Sequence, residues 1–245
     1  MDLGYYVISM LVVLITLAVH EYCHAYAAYK LGDDTAKNMG RLTLNPIKHI
    51  DPVGAICMLL FHVGWAKPVP INARNFKNPK KGFAITAMAG PLSNIVMAFF
   101  GALVYLIIVV SLRDVVFIRG SFEYNLWSNI LLFVSLFHTI NLGLGVFNLL
   151  PIPPFDGSRI LNVILPPKTY FEIMKHERKI YYGVLIWLLA GNYVTAMLRA
   201  IPLVANTPPL NFIAGIFSLS GMLGKAISAI SDLMISFWQL IPALR

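Results

Sequence analysis

Residues 3–29 form one apolar run whose only acidic, basic or imidazole side chains are His20, Glu21 and His24, near its end. A run of that length crosses a hydrocarbon core of about 30 Å. Inside lipid the backbone must satisfy its own N–H and C=O groups, so the segment has to be a helix. An ionisable side chain at that depth costs several kcal/mol and usually serves a function. The whole chain fits this setting. It is 58% hydrophobic and 12% charged, whereas a soluble domain keeps roughly a quarter of its residues charged.

Apolar runs recur at 82–110 and 128–150, and less regularly at 178–205 and 211–241. Gly191, Asn192 and Arg199 interrupt the fourth, and Gly221, Gly224 and Lys225 the fifth. The expected fold is an all-α polytopic membrane protein with about five transmembrane helices, the range being four to six. The first run is too long for a signal-peptide core and lacks a basic flank. Cys23 and Cys57 make no disulfide framework. Segment 38–81 differs from the spans. "GRLTLNP" alternates polar and apolar residues, as a half-buried strand does, and the prolines of "WAKPVPIN" fit an edge strand or a turn. A small membrane-associated β-sheet is expected there, the alternative being an irregular membrane-skimming loop. Residues 56–64 are too short to span and are expected to dip into the interface.

The net charge of +8 does not imply a nucleic-acid partner, because its distribution has another cause. Nine of the 19 Lys and Arg fall between Lys30 and Lys81 and five between Arg159 and Lys179. The 111–127 connection carries only Arg113 and Arg119, opposed by Asp114 and Glu123. This is the positive-inside pattern. It makes 30–81 and 151–180 cytoplasmic, with the N-terminus outside.

On a helix, residues i and i+4 share a face, so His20 and His24 can hold one metal ion. Glu21 is rotated away from that face and can reach a water activated by the metal without being a ligand. Catalytic zinc takes three protein ligands and keeps one position open. The third ligand must come from the same depth, roughly 9–15 Å in from Lys30 at 1.5 Å per residue. The third run returns to that side and stops in "FNLLPIPPFDGSRI", where prolines end the helix and place Asp156 on a turn. Asp156 is the expected third ligand. The alternative is an N-cap for the following helix. Asp232 could partner Lys225, His138 reads as a hydrogen-bonded structural residue, and His49, His62 and His176 read as surface residues. In "AGPLSN", residues 89–94, small side chains together with Ala87 and Ala98 let two helices approach closely. Asn94 is either an outer donor to a metal-bound histidine or a satisfied amide in a Pro-kinked helix.

"HEYCH", "AGPLSN" and "NLLPIPPFDG", in this order, resemble the site-2 protease family of intramembrane zinc metalloproteases, peptidase family M50. The resemblance covers roughly residues 15–165. "GRLTLNPIKHIDPVG" and "GWAKPVPIN" are similar to its membrane-associated loop. It implies one Zn²⁺ per chain held by His20, His24 and Asp156, and Glu21 as general base. It further implies that Asn148, eight residues before Asp156, orients substrate or stabilises the oxyanion. Phe155 stands where the family usually has leucine. The expected organisation is one intramembrane metalloprotease domain over 1–245, with a core at 1–165 and C-terminal helices at 170–245. The 17-residue connection 111–127 leaves no room for a PDZ domain, and none is expected, nor a C-terminal nucleotide-binding regulatory domain. The implied substrate is a membrane protein cut in or near a transmembrane segment. The edge strand expected near 66–72 would be placed to hold it extended by β-addition. The implied setting is the lipid bilayer of a prokaryotic cell membrane, with the active site toward the cytoplasm.

Two other functions compete on the residues alone. A metal-ion transporter would need polar residues in succession across the membrane, and the outer half of the first run offers only Ser9 and Thr16. An inactive, client-binding relative would not need Glu21 intact. The charge pattern yields a direct test of orientation. A membrane-impermeant thiol reagent applied outside cells should label Ser121→Cys and spare Asn78→Cys; the reverse pattern would invert the topology.

Overall fold

The structure is a computed structural model that describes residues 3–61, 66–210 and 219–244. Three long helices carry the fold: α1 (Leu3–Lys30), α4 (Pro79–Leu112) and α5 (Phe122–Asn148). Short helices α2 (Thr35–Asn38) and α3 (Pro52–Phe61) lie between α1 and α4. After α5 come α6 (Asp156–Ile164), α7 (Pro167–Lys175), α8 (Glu177–Arg199), α9 (Pro202–Asn206) and α10 (Leu219–Trp238). Among the described residues α1, α4 and α5 are long and apolar enough to cross a membrane. The fourth and fifth expected spans correspond to α8 and α10, which do not join that set, and residues 211–218 lie outside the described ones.

Helix α4 is the hub, packed against α1, α5, α6 and α10. Its buried face is mostly small residues, among them Gly82, Ala84, Ala87, Gly90, Ala98, Gly101 and Ala102. In lipid there is little hydrophobic drive between helices, so close backbone approach and interhelical hydrogen bonds must hold them. Both are present. Ala98 and Ala102 meet Leu142 and Met234 in one buried cluster. His138 Nδ1–H donates to the Ala98 carbonyl at 2.8 Å, and its Nε2 meets Ser231 Oγ at 2.7 Å, so the ring joins α5 to α4 and α10. Trp238 Nε1 donates to the Phe99 carbonyl at 2.8 Å.

The expected β-sheet is not there. Among the described residues, segment 38–81 contains one isolated antiparallel bridge, Ile50 with Ala66, and no strand. The polar atoms of the alternating stretch cap turns instead of facing a second strand. Asn45 Oδ1 accepts from Ile47 N at the start of a 3₁₀ turn, Pro46–His49, and Thr43 Oγ1 accepts from Asn45 N. Further along, Pro68 and Pro70 have no N–H, while Lys67, Val69 and Asn72 donate theirs to the His49 carbonyl, Glu21 and Asp33. Those donors are not free for an added strand. The segment expected to dip into the interface forms α3 as far as Phe61, and 62–65 lie outside the described residues. His49, expected at the surface, is 2% exposed.

Asp33, fully buried, fastens the end of α1 to this segment. Its carboxylate accepts from Thr35 N and Oγ1, Asn75 Nδ2 and Asn72 N. Burial alone would raise its pKa, but these hydrogen bonds outweigh burial and hold the carboxyl below the usual carboxylate range. A depressed folded pKa gives stability that is present above the unfolded pKa and lost as pH falls through the folded one. Asp33→Asn should therefore lower the melting temperature at pH 7 in detergent, and its deficit against wild type should shrink on acidification below pH 4. A deficit that stays constant with pH would contradict the ionised clasp.

Candidate metal centre

Thr16, His20 and His24 lie on the buried face of α1. The rings of His20 and His24 meet edge to face, with their Nε2 atoms 3.0 Å apart. Asp156 Oδ2 stands 3.1 Å from one and 3.2 Å from the other. The protons of this cluster can be assigned from outside it. Asn141 Nδ2 lies 2.8 Å from the Phe137 carbonyl, which can only accept. Asn141 Oδ1 therefore faces Asn94 Nδ2, which donates to it at 2.9 Å. That leaves Asn94 Oδ1 as the acceptor for His20 Nδ1–H. His24 Nδ1–H donates likewise to the Thr86 carbonyl at 2.7 Å. Each neutral ring has one N–H, so both Nε2 atoms present lone pairs.

With both rings neutral, two nitrogen lone pairs and a carboxylate oxygen converge, an arrangement suited to a cation. Around a tetrahedral ion bonded at about 2.0–2.1 Å, neighbouring ligand atoms stand about 3.3–3.4 Å apart. The observed 3.0–3.2 Å is close to that spacing. These three residues form a group with donor atoms in reach of one ion, and the donor set is one that zinc accepts.

Glycines admit the cluster. A Cβ on Gly90 would overlap His24 Nε2 and His20 Cε1, so α4 can pass the imidazoles only with glycine there. A Cβ on Gly157 would collide with the carbonyls of Leu149 and Leu150, which lets the proline turn fold back on α6. Asp156 is the first residue of α6, and Phe155 is the N-cap without a side-chain cap bond. Its carboxylate is thus turned to the histidines and is not capping the helix. Phe155 packs against Phe147 with the rings tilted, centroids 4.3 Å apart.

Glu21 lies outside the three-donor group and is 8% exposed. Its Oε2 accepts from Val69 N at 3.0 Å. Asn148 ends α5, half-buried. Asp232 and Lys225 are both exposed and form no ion pair with each other. The sequence reading had not picked out Asn141, the Thr86 carbonyl or the Val69 N–H. An amide in the third apolar run was a signal for Asn141, since polar groups in spans are seldom idle. The other two are backbone groups and leave no side-chain trace.

A family model, "Peptidase family M50", matches residues 8–190. Among curated proteins, the chain is 39% identical to "Putative zinc metalloprotease YwhC" of Bacillus subtilis, over 78% of this chain and 87% of that one. It is 32% identical to "Putative zinc metalloprotease MJ0611" of Methanocaldococcus jannaschii, over 64% and 70%. It is 28% identical to "Zinc metalloprotease MJ0392" of the same organism, over 76% and 43%. No solved structure matches.

The glycine argument predicts a selective defect. Gly90→Ala should weaken zinc binding by about ten- to a hundredfold, the range for disturbing what orients a ligand. Gly143→Ala, whose Cβ would meet only Ile227 at 3.8 Å, should not. Zinc retained after dialysis against a graded chelator measures both.

Proposed function

The chain belongs to peptidase family M50, and on that premise we propose that it is an intramembrane zinc endopeptidase. In this reading one Zn²⁺ per chain is held by His20, His24 and Asp156. The substrate is a membrane protein cut in or near a transmembrane segment, from the cytoplasmic side of a prokaryotic cell membrane. The observation that carries the reading is the division of labour among neighbours. His20, His24 and Asp156 converge on one point, while the adjacent carboxylate of Glu21 is held elsewhere, by a backbone N–H. A carboxylate beside the ligands and not among them suits proton transfer.

Zinc at these donors supplies Lewis acidity, which makes a water nucleophilic near neutral pH and polarises a carbonyl. Glu21 takes the proton of the attacking water and passes it to the leaving amine. Asn148, at the end of α5, donates a hydrogen bond to the carbonyl oxygen as negative charge develops there; such a donor contributes roughly 3–4 kcal/mol in the transition state. Asn94 and the Thr86 carbonyl keep the two imidazoles in the ligating tautomer throughout.

Three variants separate these roles, each measured for bound zinc and for cleavage of a membrane protein in liposomes. Glu21→Gln should keep zinc and lose about 10²–10⁴-fold in rate, as expected for a missing general base. Asn148→Ala should keep zinc and lose about a hundredfold or more. Asp156→Ala should lose zinc and activity together. Wild-type cleavage by Glu21→Gln, or loss of its zinc, would sink the peptidase reading. Membrane proteins that accumulate uncut in Glu21→Gln cells are then the candidate substrates.

A further inference from the structure

The segment that supplies Glu21 with its N–H is pinned on both sides of Val69 by two buried charged residues, Arg41 and Asp33, that stand outside the candidate ligand set. We infer that Arg41 and Asp33 are positioning residues for catalysis: they fix residues 67–72 so that the Val69 N–H holds one oxygen of the Glu21 carboxylate. The inference rests on the peptidase reading above and gives Glu21 a mechanical support.

On one side, Arg41 Nη2 donates to the Lys67 carbonyl at 2.6 Å. Lys67 N donates to the His49 carbonyl at 2.8 Å. His49 is itself held, with Nε2–H on the Thr43 carbonyl at 2.8 Å and Nδ1 facing Arg41 Nη2 at 3.5 Å. On the other side, Asp33 Oδ2 accepts from Asn72 N at 2.7 Å. Between the two pins run Pro68, Val69, Pro70 and Ile71, and proline's fixed φ leaves the stretch little freedom. Val69 carries the one N–H of the Pro-Val-Pro part, and it donates to Glu21 Oε2 at 3.0 Å.

Energetics support a purpose. Arg41 is 7% exposed, its Nε finds no partner, and among the described residues no carboxylate pairs with it. Burying a guanidinium that way is costly, and for anchoring alone an apolar residue would serve. What the charge adds is a strong, directed bond to one carbonyl. With Oε2 occupied by Val69 N–H, the carboxylate is restricted in rotation, and Oε1 is left to exchange protons. Losing a hydrogen bond to a charged group corresponds to about ten- to a hundredfold.

The test uses the full-length protein in liposomes, loaded with zinc. The probe is a synthetic single-span peptide of Leu and Ala, with a fluorophore and a quencher at its two ends. The Val69 amide is replaced by an ester through incorporation of the α-hydroxy acid, which deletes the N–H and keeps the side chain. The ester should lower kcat about ten- to a hundredfold with KM and bound zinc unchanged. Arg41→Ala should lower kcat alike, and combined with the ester it should fall no further, since both act through one bond. Arg41→Lys, which retains a charged donor, should recover part of the loss. An ester variant with wild-type kcat, or losses that multiply in the double variant, would overturn the inference. Glu21→Gln run beside them separates the two levels. If it is inactive while the ester is unaffected, only the positioning role fails. If it cleaves normally, the peptidase reading fails and this inference with it.

Discussion

Two backbone carbonyls, those of Phe137 and Thr86, decide what the centre can bind. Neither can give up a proton. The Phe137 carbonyl fixes the amide of Asn141, which fixes the amide of Asn94, which fixes the proton on His20 Nδ1. The Thr86 carbonyl does the same for His24 in one step. Asn141 also donates to Thr16 Oγ1 at 3.0 Å, so the chain begins and ends on α1. All of these groups except Phe137 are fully or nearly fully buried. With these side chains out of contact with bulk solvent, their partners are protein groups, and the tautomers are set by the packing of α1, α4 and α5.

That packing depends in turn on small residues. The backbone of α4 must come within reach of both imidazoles, which Gly90 permits, and α5 must come within reach of Asn94, which Gly145 permits: a Cβ there would meet Ile95 Cγ1 at 2.9 Å and the Pro91 carbonyl at 3.0 Å. Chemistry and helix association therefore draw on the same residues. A methyl group at either glycine would separate the spans and misdirect the hydrogen bonds that prepare the ligands.

The candidate ligand pair is legible in the sequence because helical spacing alone puts His20 and His24 on one face. Asp156 is legible because prolines 151, 153 and 154 must end a helix at the right depth, and the family resemblance points to the same residue. Asn94 reads from sequence either as an outer donor to a histidine or as a satisfied amide; in the structure its Oδ1 accepts from His20 and its Nδ2 donates to Asn141. Its orientation is set two hydrogen bonds away, at Phe137, and no local pattern encodes that. The sheet expected at 38–81 is absent among the described residues, and the segment takes the other form weighed for it, an irregular one, because alternation and prolines describe a half-buried strand and a clamped loop equally well. The difference lies in Asp33, Arg41 and Glu21, whose side chains bind the segment's polar backbone where a neighbouring strand would have done so. The long spans α1, α4 and α5 followed directly from hydropathy. The C-terminal part did not, because α8 and α10 mix polar residues into helices of ordinary length.

Zinc K-edge X-ray absorption on the purified, zinc-loaded protein addresses the centre most directly. The expected first shell is nitrogen and oxygen only, at about 2.0–2.1 Å, with outer-shell scattering from two imidazoles. A sulfur scatterer at about 2.3 Å, which would bring in Cys23, or an outer shell that needs a third imidazole, would contradict the assignment of His20, His24 and Asp156.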